Sequence, residues 1–475
     1  MLARRHRDGF RGEPRSRWHL SVALGCISAG TKTLCWPLTS YPMRSLFCAI
    51  LLCVGFVQAA EPEFPLVATQ ECRPRAGLPN FLAKAQGRFG SGALPEIKVG
   101  YLGGSITAQP GWRVKSLAHF KQAYPNAKFT EINAAIGGTG SDLGVFRVQQ
   151  DVLSKQPDLL FVEFAVNDGG ASPEQIIRCM EGIVRQTWRT NPNCDICFVY
   201  TLVEGMAPGI AAGKFPRSAS AMEKVADHYG IPTIHFGLEV SRLSKEGKVL
   251  WKSPLPKTPE EKAALGDKVV FAPDSVHPHV ETGHKMYLEA IVRSLPGISQ
   301  ASGKLMKHEL PAPLVTDNFE RASLTSIAAA KLPAGVAPLD PAKDAMAKSY
   351  TNRLPALVRL TQPGQAIEFK FKGTHCAVYD VVGPAGGKVA VTLDGGTPKV
   401  VTRFDAYCTY ARLSTFTVGT KLTDAVHTVR LELLPDAFDK AAILAQRKEK
   451  MDKPERFEDR HFFPGGLLVV GELVP

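Results

Sequence analysis

Four polar residues stand in an order that could support nucleophilic catalysis by a serine. Ser105 follows the apolar run Ile97–Leu102 and two glycines, which allow a tight turn and leave its hydroxyl uncrowded. Asn167 ends a second apolar run, and Asp274 and His277 lie three residues apart on one stretch. A serine hydroxyl is a weak nucleophile at neutral pH and needs a base that a third group orients. Asp274 and His277 are close enough in sequence to meet without further structure.

Alternating strands and helices must bring these residues together. The predicted strands cover Ile97–Leu102, Phe129–Ala134, Asp158–Ala165, Ile196–Leu202 and Thr233–His235, and a helix is predicted after each of the first four. Apolar strands that alternate with helices predict a parallel sheet covered on both faces. Ligands bind at the carboxyl ends of the strands in such a sheet, which is where Ser105 and Asn167 stand.

The order of these blocks resembles the SGNH (GDSL-like) hydrolase family. The resemblance covers about residues 95–295 and rests on Gly-Gly-Ser at Ser105, Asn-Ala-Ala-Ile-Gly-Gly-Thr-Gly-Ser at residues 133–141, Asn167 and Asp-Ser-Val-His at residues 274–277. It implies a three-layer α/β/α fold with a flavodoxin-like parallel sheet. The sequence departs from the family at Gly104, where many members have Asp in Gly-Asp-Ser.

The three groups of a catalytic triad can be assigned. We expect Ser105 to be the nucleophile, His277 the general base and then the general acid, and Asp274 the group that orients the imidazole. Taken singly, Asp274 could cap its loop and His277 could be a surface histidine before a proline. Together with Ser105, in this order, they favour a hydrolase.

A tetrahedral intermediate also needs hydrogen-bond donors aimed at its oxyanion. By the resemblance, these donors are the backbone N–H groups of Ser105 and Gly138 and the side-chain amide of Asn167. Gly137 is the alternative to Gly138, one position away, and Asn167 could alternatively end its strand as a turn former.

Residues near the nucleophile and the base are candidates for substrate contacts. Trp112, Arg113 and His279 are the three assigned here. Arg113 could bind a substrate oxygen or pair with a carboxylate such as Glu163, and structural pairing is favoured. His279 and His284 suggest a zinc site, but no third ligand is evident, so both are interpreted as substrate-wall or structural residues and no metal is expected.

The net charge and the N-terminal segment limit the functional classes to which the protein could belong. The 475 residues carry a formal net charge of +12, but half of that excess lies in residues 1–60. No dense basic stripe remains, which argues against nucleic acid as a partner and leaves an acidic polysaccharide open. Residues 43–61 have the basic start, short apolar core and small-residue cleavage pattern of a signal peptide, with translation starting at Met43. The alternative is a genuine N-terminal tail at residues 1–42.

Six of the ten cysteines lie beyond this leader. An even number in an exported protein predicts disulfides, with Cys376 and Cys408 as the best pair. Cys194-Asp-Ile-Cys197 could be a redox motif or half of a metal site, but no second pair has zinc-site spacing. Separate structural disulfides or buried thiols are therefore favoured.

The pattern changes after a last predicted helix at residues 281–293. We expect a leader at residues 1–60, a catalytic domain at 61–298 with a long insertion at 241–272, a linker at 299–318 and a second domain at 319–475. Short alternating strands with Gly/Pro turns predict an all-β sandwich there, and its sequence resembles the jelly-roll domain of some carbohydrate esterases.

These observations predict a secreted or periplasmic serine esterase without metal or organic cofactor. By the resemblance, its substrate is an acetylated polysaccharide or oligosaccharide, and no nucleic acid and no stable membrane insertion is expected. The alternatives are an O-acetyltransferase or a lipase or thioesterase that uses the same site, and a glycan-binding protein without activity.

Overall fold

The computed structural model describes residues 64–87 and 94–475. The predicted leader at residues 1–60, with its signal peptide and its start at Met43, lies outside these residues. Residues Pro62–Pro475 form one unit. In the described part of the chain, no helix combines the length and the apolar character needed to cross a membrane.

A six-stranded sheet carries the residues singled out above. Its strands are β1 (Cys72–Arg73), β2 (Glu96–Gly103), β3 (Lys128–Asn133), β4 (Leu159–Glu163), β5 (Asp195–Tyr200) and β6 (Thr233–His235). They lie in the order β1-β6-β5-β4-β2-β3, and only β1 is antiparallel to its neighbour. The chain leaves β2 for β3 on one side and returns to β4 on the other. Ser105 therefore follows the strand at which the order reverses, where ligands bind in open α/β sheets.

Helices cover both faces of this sheet. They are α1 (Pro79–Ala85), α2 (Ser105–Ala108), α3 (Trp112–Ala123), α4 (Ser141–Asp151), α5 (Pro173–Thr190), α6 (Ala207–Ala211), α7 (Arg217–Tyr229), α8 (Leu238–Lys245), α9 (Pro259–Leu265) and α10 (Gly283–Ala301). Residues of α4, α5 and α7 form one hydrophobic cluster with the sheet, and residues of α1, α3 and α10 form the other. Successive residues of β4 point into opposite clusters, as expected for a strand buried on both sides. The predicted three-layer α/β/α fold is confirmed.

The insertion at residues 241–272 forms a small substructure of its own. Its strands β7 (Val249–Leu250) and β8 (Val269–Val270) pair in parallel, and α9 lies between them. Thr258 and Glu261 cap α9 reciprocally. Strand β8 leads directly into the loop that carries Asp274 and His277.

The remaining chain forms an antiparallel all-β domain, as predicted. Its strands are β9 (Ala322–Ser326), β10 (Ala366–Val382), β11 (Lys388–Leu393), β12 (Lys399–Thr402), β13 (Arg412–Gly419), β14 (Ala425–Leu433) and β15 (Phe463–Val474). Two short helices, α11 (Ala345–Tyr350) and α12 (Lys440–Ala445), interrupt the connections. The seven strands belong to one sheet, in the order β12-β11-β14-β10-β15-β9, and β13 pairs with β10.

Strand β10 is longer than its sequence pattern suggests. The pattern predicts two strands, at residues 366–371 and 376–381, whereas the structure has one continuous strand. Strand β15 pairs with nearly the whole of β10 on one side, while β14 and then β13 pair with it in succession on the other. The register shifts near Gly373 and Cys376, where the sequence pattern breaks.

The all-β domain shares a hydrophobic cluster with the α/β domain. Tyr379 and Val381 of β10 lie in the same cluster as Val145 and Phe146 of α4. Strand β9 also packs against α4. The two parts therefore have a common apolar interface rather than a flexible hinge.

The cysteine prediction needs correction. All six described cysteines are free thiols, so the predicted disulfide between Cys376 and Cys408 is not formed. Cys376 lies in the core of the all-β domain, whereas Cys408 lies in a separate small cluster. Cys194 and Cys197 face opposite sides of the sheet, because residues three apart on an extended chain point in opposite directions. They form neither a redox pair nor half of a metal site.

Candidate active site

Ser105 stands at the carboxyl end of β2, on a turn that only glycines can make. Gly103 and Gly104 precede it, and Ser105 is the first residue of α2. A Cβ atom on Gly103 would lie 2.7 Å from the Thr107 hydroxyl, and one on Gly104 would lie 2.0 Å from Asn167 Oδ1. The absence of side chains here lets Asn167 and Thr107 approach the backbone next to Ser105.

A continuous hydrogen-bond chain joins Asp274, His277 and Ser105. The distance from Asp274 Oδ2 to His277 Nδ1 is 2.7 Å, and the distance from His277 Nε2 to Ser105 Oγ is 2.8 Å. Because Nδ1–H donates to the carboxylate, Nε2 carries the lone pair that accepts the serine hydroxyl. In this arrangement the imidazole can remove the hydroxyl proton.

Local hydrogen bonds hold the carboxylate of this chain. Asp274 Oδ1 accepts the backbone N–H groups of Val276 at 3.0 Å and His277 at 2.8 Å. Partial burial by itself would raise the pKa of Asp274, but these bonds and the bond from the imidazole together lower it to about 2. Asp274 is therefore ionised at neutral pH. Ser275 between them has φ +70°, a left-handed conformation that closes the turn.

The structure brings the predicted oxyanion donors to two sides of Ser105. A Cβ atom on Gly137 would lie 3.5 Å from the Ser105 Cβ, and Gly138 follows with φ +74°. Asn167 reaches the other side, where its amide lies against Gly104. Ser105 and Asn167 are half-buried, while the two glycines are exposed, so the site is open to solvent.

Two of the three predicted substrate contacts are buried inside the domain. Trp112 is completely buried, because it is the first residue of α3 and points into the core toward Tyr101. Arg113 is buried as well and pairs with Glu131 rather than with Glu163, while its Nε donates to a main-chain carbonyl. These two positions are corrected from substrate contacts to structural residues.

Two histidines beyond His277 have structural partners. His279 Nε2 lies 2.9 Å from the carbonyl oxygen of Ser253 in the insertion. His284 is fully buried, and its Nδ1 accepts the N–H of Trp112 at 3.1 Å, which leaves Nε2–H to donate to Gln109 Oε1. Burial lowers the pKa of His284 to about 3, so it is neutral. It holds the turn between α2 and α3.

Two buried acids lie beside the site; from the sequence, Glu163 was considered only as an ion-pair partner of Arg113 and no role was assigned to Asp168. Glu163 accepts the hydroxyls of Thr107 and Thr201, and burial raises its pKa although these bonds oppose the rise. Asp168 follows Asn167 and accepts the N–H of Ser141 at 2.9 Å, and burial raises its pKa to about 7. An acid inside the otherwise apolar stretch Leu-Leu-Phe-Val-Glu-Phe-Ala-Val was the available signal.

Within the described ranges, no group of three or more His, Cys, Asp or Glu side chains could hold a metal ion. The chemistry that the described residues can supply is a serine nucleophile, an imidazole base, an ionised carboxylate and adjacent amide donors. This set suits attack on an ester carbonyl.

Two solved structures have a fold similar to that of this chain. One is a crystal structure of a two-domain esterase (CEX) active on acetylated mannans, co-crystallised with mannopentaose. Its sequence is 20% identical to that of this chain, the TM-score is 0.64, and the match covers 87% of this chain and 100% of that one. A second structure of a two-domain esterase of the same description is 20% identical with a TM-score of 0.61 over 84% of this chain and 97% of that one. At this identity the likeness shows the fold.

A sequence comparison with curated proteins gave no match. The family model of the GDSL-like lipase/acylhydrolase family matches residues 101–284, a range that begins in β2 and ends just after the loop of Asp274 and His277. Residues 101–284 of this chain are thus similar to the GDSL-like lipase/acylhydrolase family.

Proposed function

We propose that this protein is an exported serine esterase that removes O-acetyl groups from a polysaccharide through an acyl-serine intermediate. The observation that carries the proposal is the hydrogen-bond chain from Asp274 through His277 to Ser105. Such a chain activates a hydroxyl that is otherwise a weak nucleophile.

In the first half-reaction, Ser105 Oγ bonds to the acetyl carbonyl carbon while His277 Nε2 takes its proton. The carbonyl electron pair moves onto oxygen, and the N–H groups of Ser105 and Gly138 and the amide of Asn167 donate to that oxyanion. The intermediate then collapses, the bond to the sugar oxygen breaks, and His277 returns the proton to that oxygen. The carboxylate of Asp274 stabilises the imidazolium between these steps.

In the second half-reaction, water replaces the sugar. His277 removes a proton from water as it attacks the acetyl carbon, and the second tetrahedral intermediate releases acetate when Ser105 Oγ regains the proton. The exposed side chain of Asp274 and the half-buried His277 and Ser105 leave the site open to water.

An acetylated glycan is the substrate class that we propose. The open site can receive an ester on a polymer, which a closed pocket could not. The similar fold of an esterase active on acetylated mannans supports this choice, and acetylated mannan is therefore the first substrate to test. The predicted leader supports export. We further propose that the catalytic domain covers residues 61–298, the linker residues 299–318 and the all-β domain residues 319–475.

The test measures acetate release from acetylated mannan and acetylated xylan. Ser105→Ala should lower the rate by about 10³-fold or more, since the nucleophile is lost. The matched control is Ser154→Ala, an exposed serine whose hydroxyl bonds to the carbonyl of Gln150, and it should keep the wild-type rate.

The other outcomes distinguish the alternatives. Equal acetate release by wild type and Ser105→Ala would contradict the proposed site. Transfer of acetyl to an added sugar in preference to water would indicate an acetyltransferase, and preference for long-chain p-nitrophenyl esters would indicate a lipase. Glycan binding without turnover of any ester would indicate a binding protein.

A further inference from the structure

Glu163 is a buried carboxylate directly below the nucleophile, and none of the steps above uses it. It is the last residue of β4, and its exposed fraction is 0%. In the part of the chain that the structure describes, the groups that contact its oxygens are hydrogen-bond donors rather than cations.

Three donors from two neighbouring strand ends converge on this carboxylate. The Thr107 hydroxyl lies 2.9 Å from Oε2, and the Thr201 hydroxyl lies 2.7 Å from Oε1. The backbone N–H of Gly104 also acts on this carboxylate and lowers its pKa against the effect of burial. Gly104 and Thr107 follow β2, and Thr201 follows β5, so one side chain on β4 joins the carboxyl ends of three adjacent strands.

Two of these donors lie on either side of Ser105 in the chain. Gly104 immediately precedes the nucleophile and Thr107 is two residues beyond it. Gly104 also lies against the amide of Asn167, since a Cβ atom there would be 2.0 Å from Asn167 Oδ1. A shift of this turn would therefore move Ser105 relative to both His277 and Asn167.

Fold stability does not account for a carboxylate at this position. Burial of an ionisable group without a partner of opposite charge costs several kcal/mol, although hydrogen bonds offset part of that cost. Leu159 and Phe161, which alternate onto the same face of β4 as Glu163, show that apolar side chains pack well on this face. Local violations of such packing rules concentrate at functional sites.

We propose that Glu163 is a positioning residue that holds the turn from Gly104 to Thr107 against the ends of β4 and β5, and thereby keeps Ser105 Oγ within hydrogen-bond reach of His277. This inference rests on the proposed function, because it concerns the same nucleophile. Glu163 itself touches neither the base nor the reacting atoms; it acts through the backbone on both sides of Ser105.

The main test is Glu163→Gln, measured with p-nitrophenyl acetate as the probe. The amide NH₂ of glutamine donates and cannot accept, so at least one of the three donors loses its acceptor on this side chain and must turn or move. A displacement of about 1 Å costs about 100-fold in rate, so kcat should fall by about 10- to 100-fold. KM should stay within about twofold, because the substrate contacts remain.

Glu181→Gln is the matched control. Glu181 is also 0% exposed, and its carboxylate accepts the Tyr229 hydroxyl and the N–H groups of Leu314 and Val315, away from Ser105. This variant should lower the melting temperature and keep the wild-type kcat. Equal kcat values for Glu163→Gln and Glu181→Gln would overturn the proposal.

Thr107→Val provides a second route if Glu163→Gln does not fold. It removes one hydroxyl at nearly constant volume and should reduce kcat in the same direction but by less. An unchanged kcat in this variant would overturn the proposal in that case.

Labelling of Ser105 with a fluorophosphonate separates this inference from the proposed function. Slower labelling in Glu163→Gln than in wild type supports the inference, even if the protein turns over no ester. Absence of ester turnover would contradict only the proposed esterase function. Ester turnover with equal labelling rates would contradict only the inference. Absence of labelling in the wild type would contradict both.

Discussion

The nucleophile and its base are held in different ways. Ser105 stands on a turn whose support is buried, with Glu163 below it at 0% exposure. The side chains of Asp274 and His277 are 47% and 34% exposed, and hydrogen bonds within their own four residues orient them. The position of the nucleophile depends on contacts between strands that are distant in sequence. The position of the base depends mainly on hydrogen bonds within its own loop.

This difference has a physical cause. A serine can react only when its backbone is fixed relative to the oxyanion donors, which come from separate segments at Gly138 and Asn167. The base requires only a short loop, tied at Ser275 to Trp251 and Glu204 by single main-chain hydrogen bonds. Substitutions in the loop should therefore remove a group that takes part in proton transfer. Substitutions in the residues that support the Ser105 turn should instead displace the nucleophile.

The largest effect is expected at the exposed base. His277→Gln should reduce kcat/KM by about 10⁴-fold or more, because no other group takes the serine proton. Steady-state kinetics on p-nitrophenyl acetate measure this loss. The melting temperature should change little, since the loop is exposed.

His228→Gln is the control for this substitution. His228 is an exposed histidine whose Nε2 lies 2.8 Å from a main-chain carbonyl far along the chain, and its replacement should leave kcat/KM unchanged. Retention of activity in His277→Gln would place the base elsewhere.

An intermediate effect is expected in the buried support. Gly104→Ala puts a methyl group 2.0 Å from Asn167 Oδ1, so either the turn or the amide must shift. A shift of about 1 Å should lower kcat by about 100-fold. Gly170→Ala is the matched control, because its Cβ would meet nothing within 4 Å, and it should keep the wild-type kcat. Equal rates for the two variants would show that the turn tolerates displacement.

The smallest effect on the reaction is expected at Asp168, whose protonation changes stability and its dependence on pH. Burial raises the pKa of Asp168 to about 7, above the value of about 3.9 that an unfolded chain has. The folded state then binds more protons between these values, so the free energy of unfolding should fall by a few kcal/mol as pH rises from about 4 to about 7, and stay level above that. Asp168→Asn should make this slope shallower, because it removes the contribution of Asp168 while other buried acids such as Glu163 keep theirs.

Urea unfolding of wild type and Asp168→Asn at several pH values measures the difference. Asp142→Asn, an exposed neighbour on α4, should keep the wild-type slope. A slope in Asp168→Asn as steep as that of wild type would assign the whole pH dependence to other groups.

Much of the fold was predictable, and the errors have definite causes. The five parallel strands were placed to within a few residues, because each is a short apolar run with a turn signal after it. Strand β10 was split in two because its pattern breaks at Gly373, and only pairing with β15 shows that the strand continues. Trp112 and Arg113 were assigned to the substrate by closeness in sequence to Ser105, but they begin a helix that faces the core.

The order of Ser105, Asn167, Asp274 and His277 was readable from residue types alone, because a strand followed by glycines and an Asp-x-x-His loop are local features. The roles of Glu163 and Asp168 depended on tertiary structure, since their donors lie on segments distant in sequence. Cys376 and Cys408 likewise remain free thiols because each lies in a different hydrophobic cluster. Hydrogen bonding within a few residues is encoded in the local chain, whereas burial and long-range partners exist only after the strands have packed.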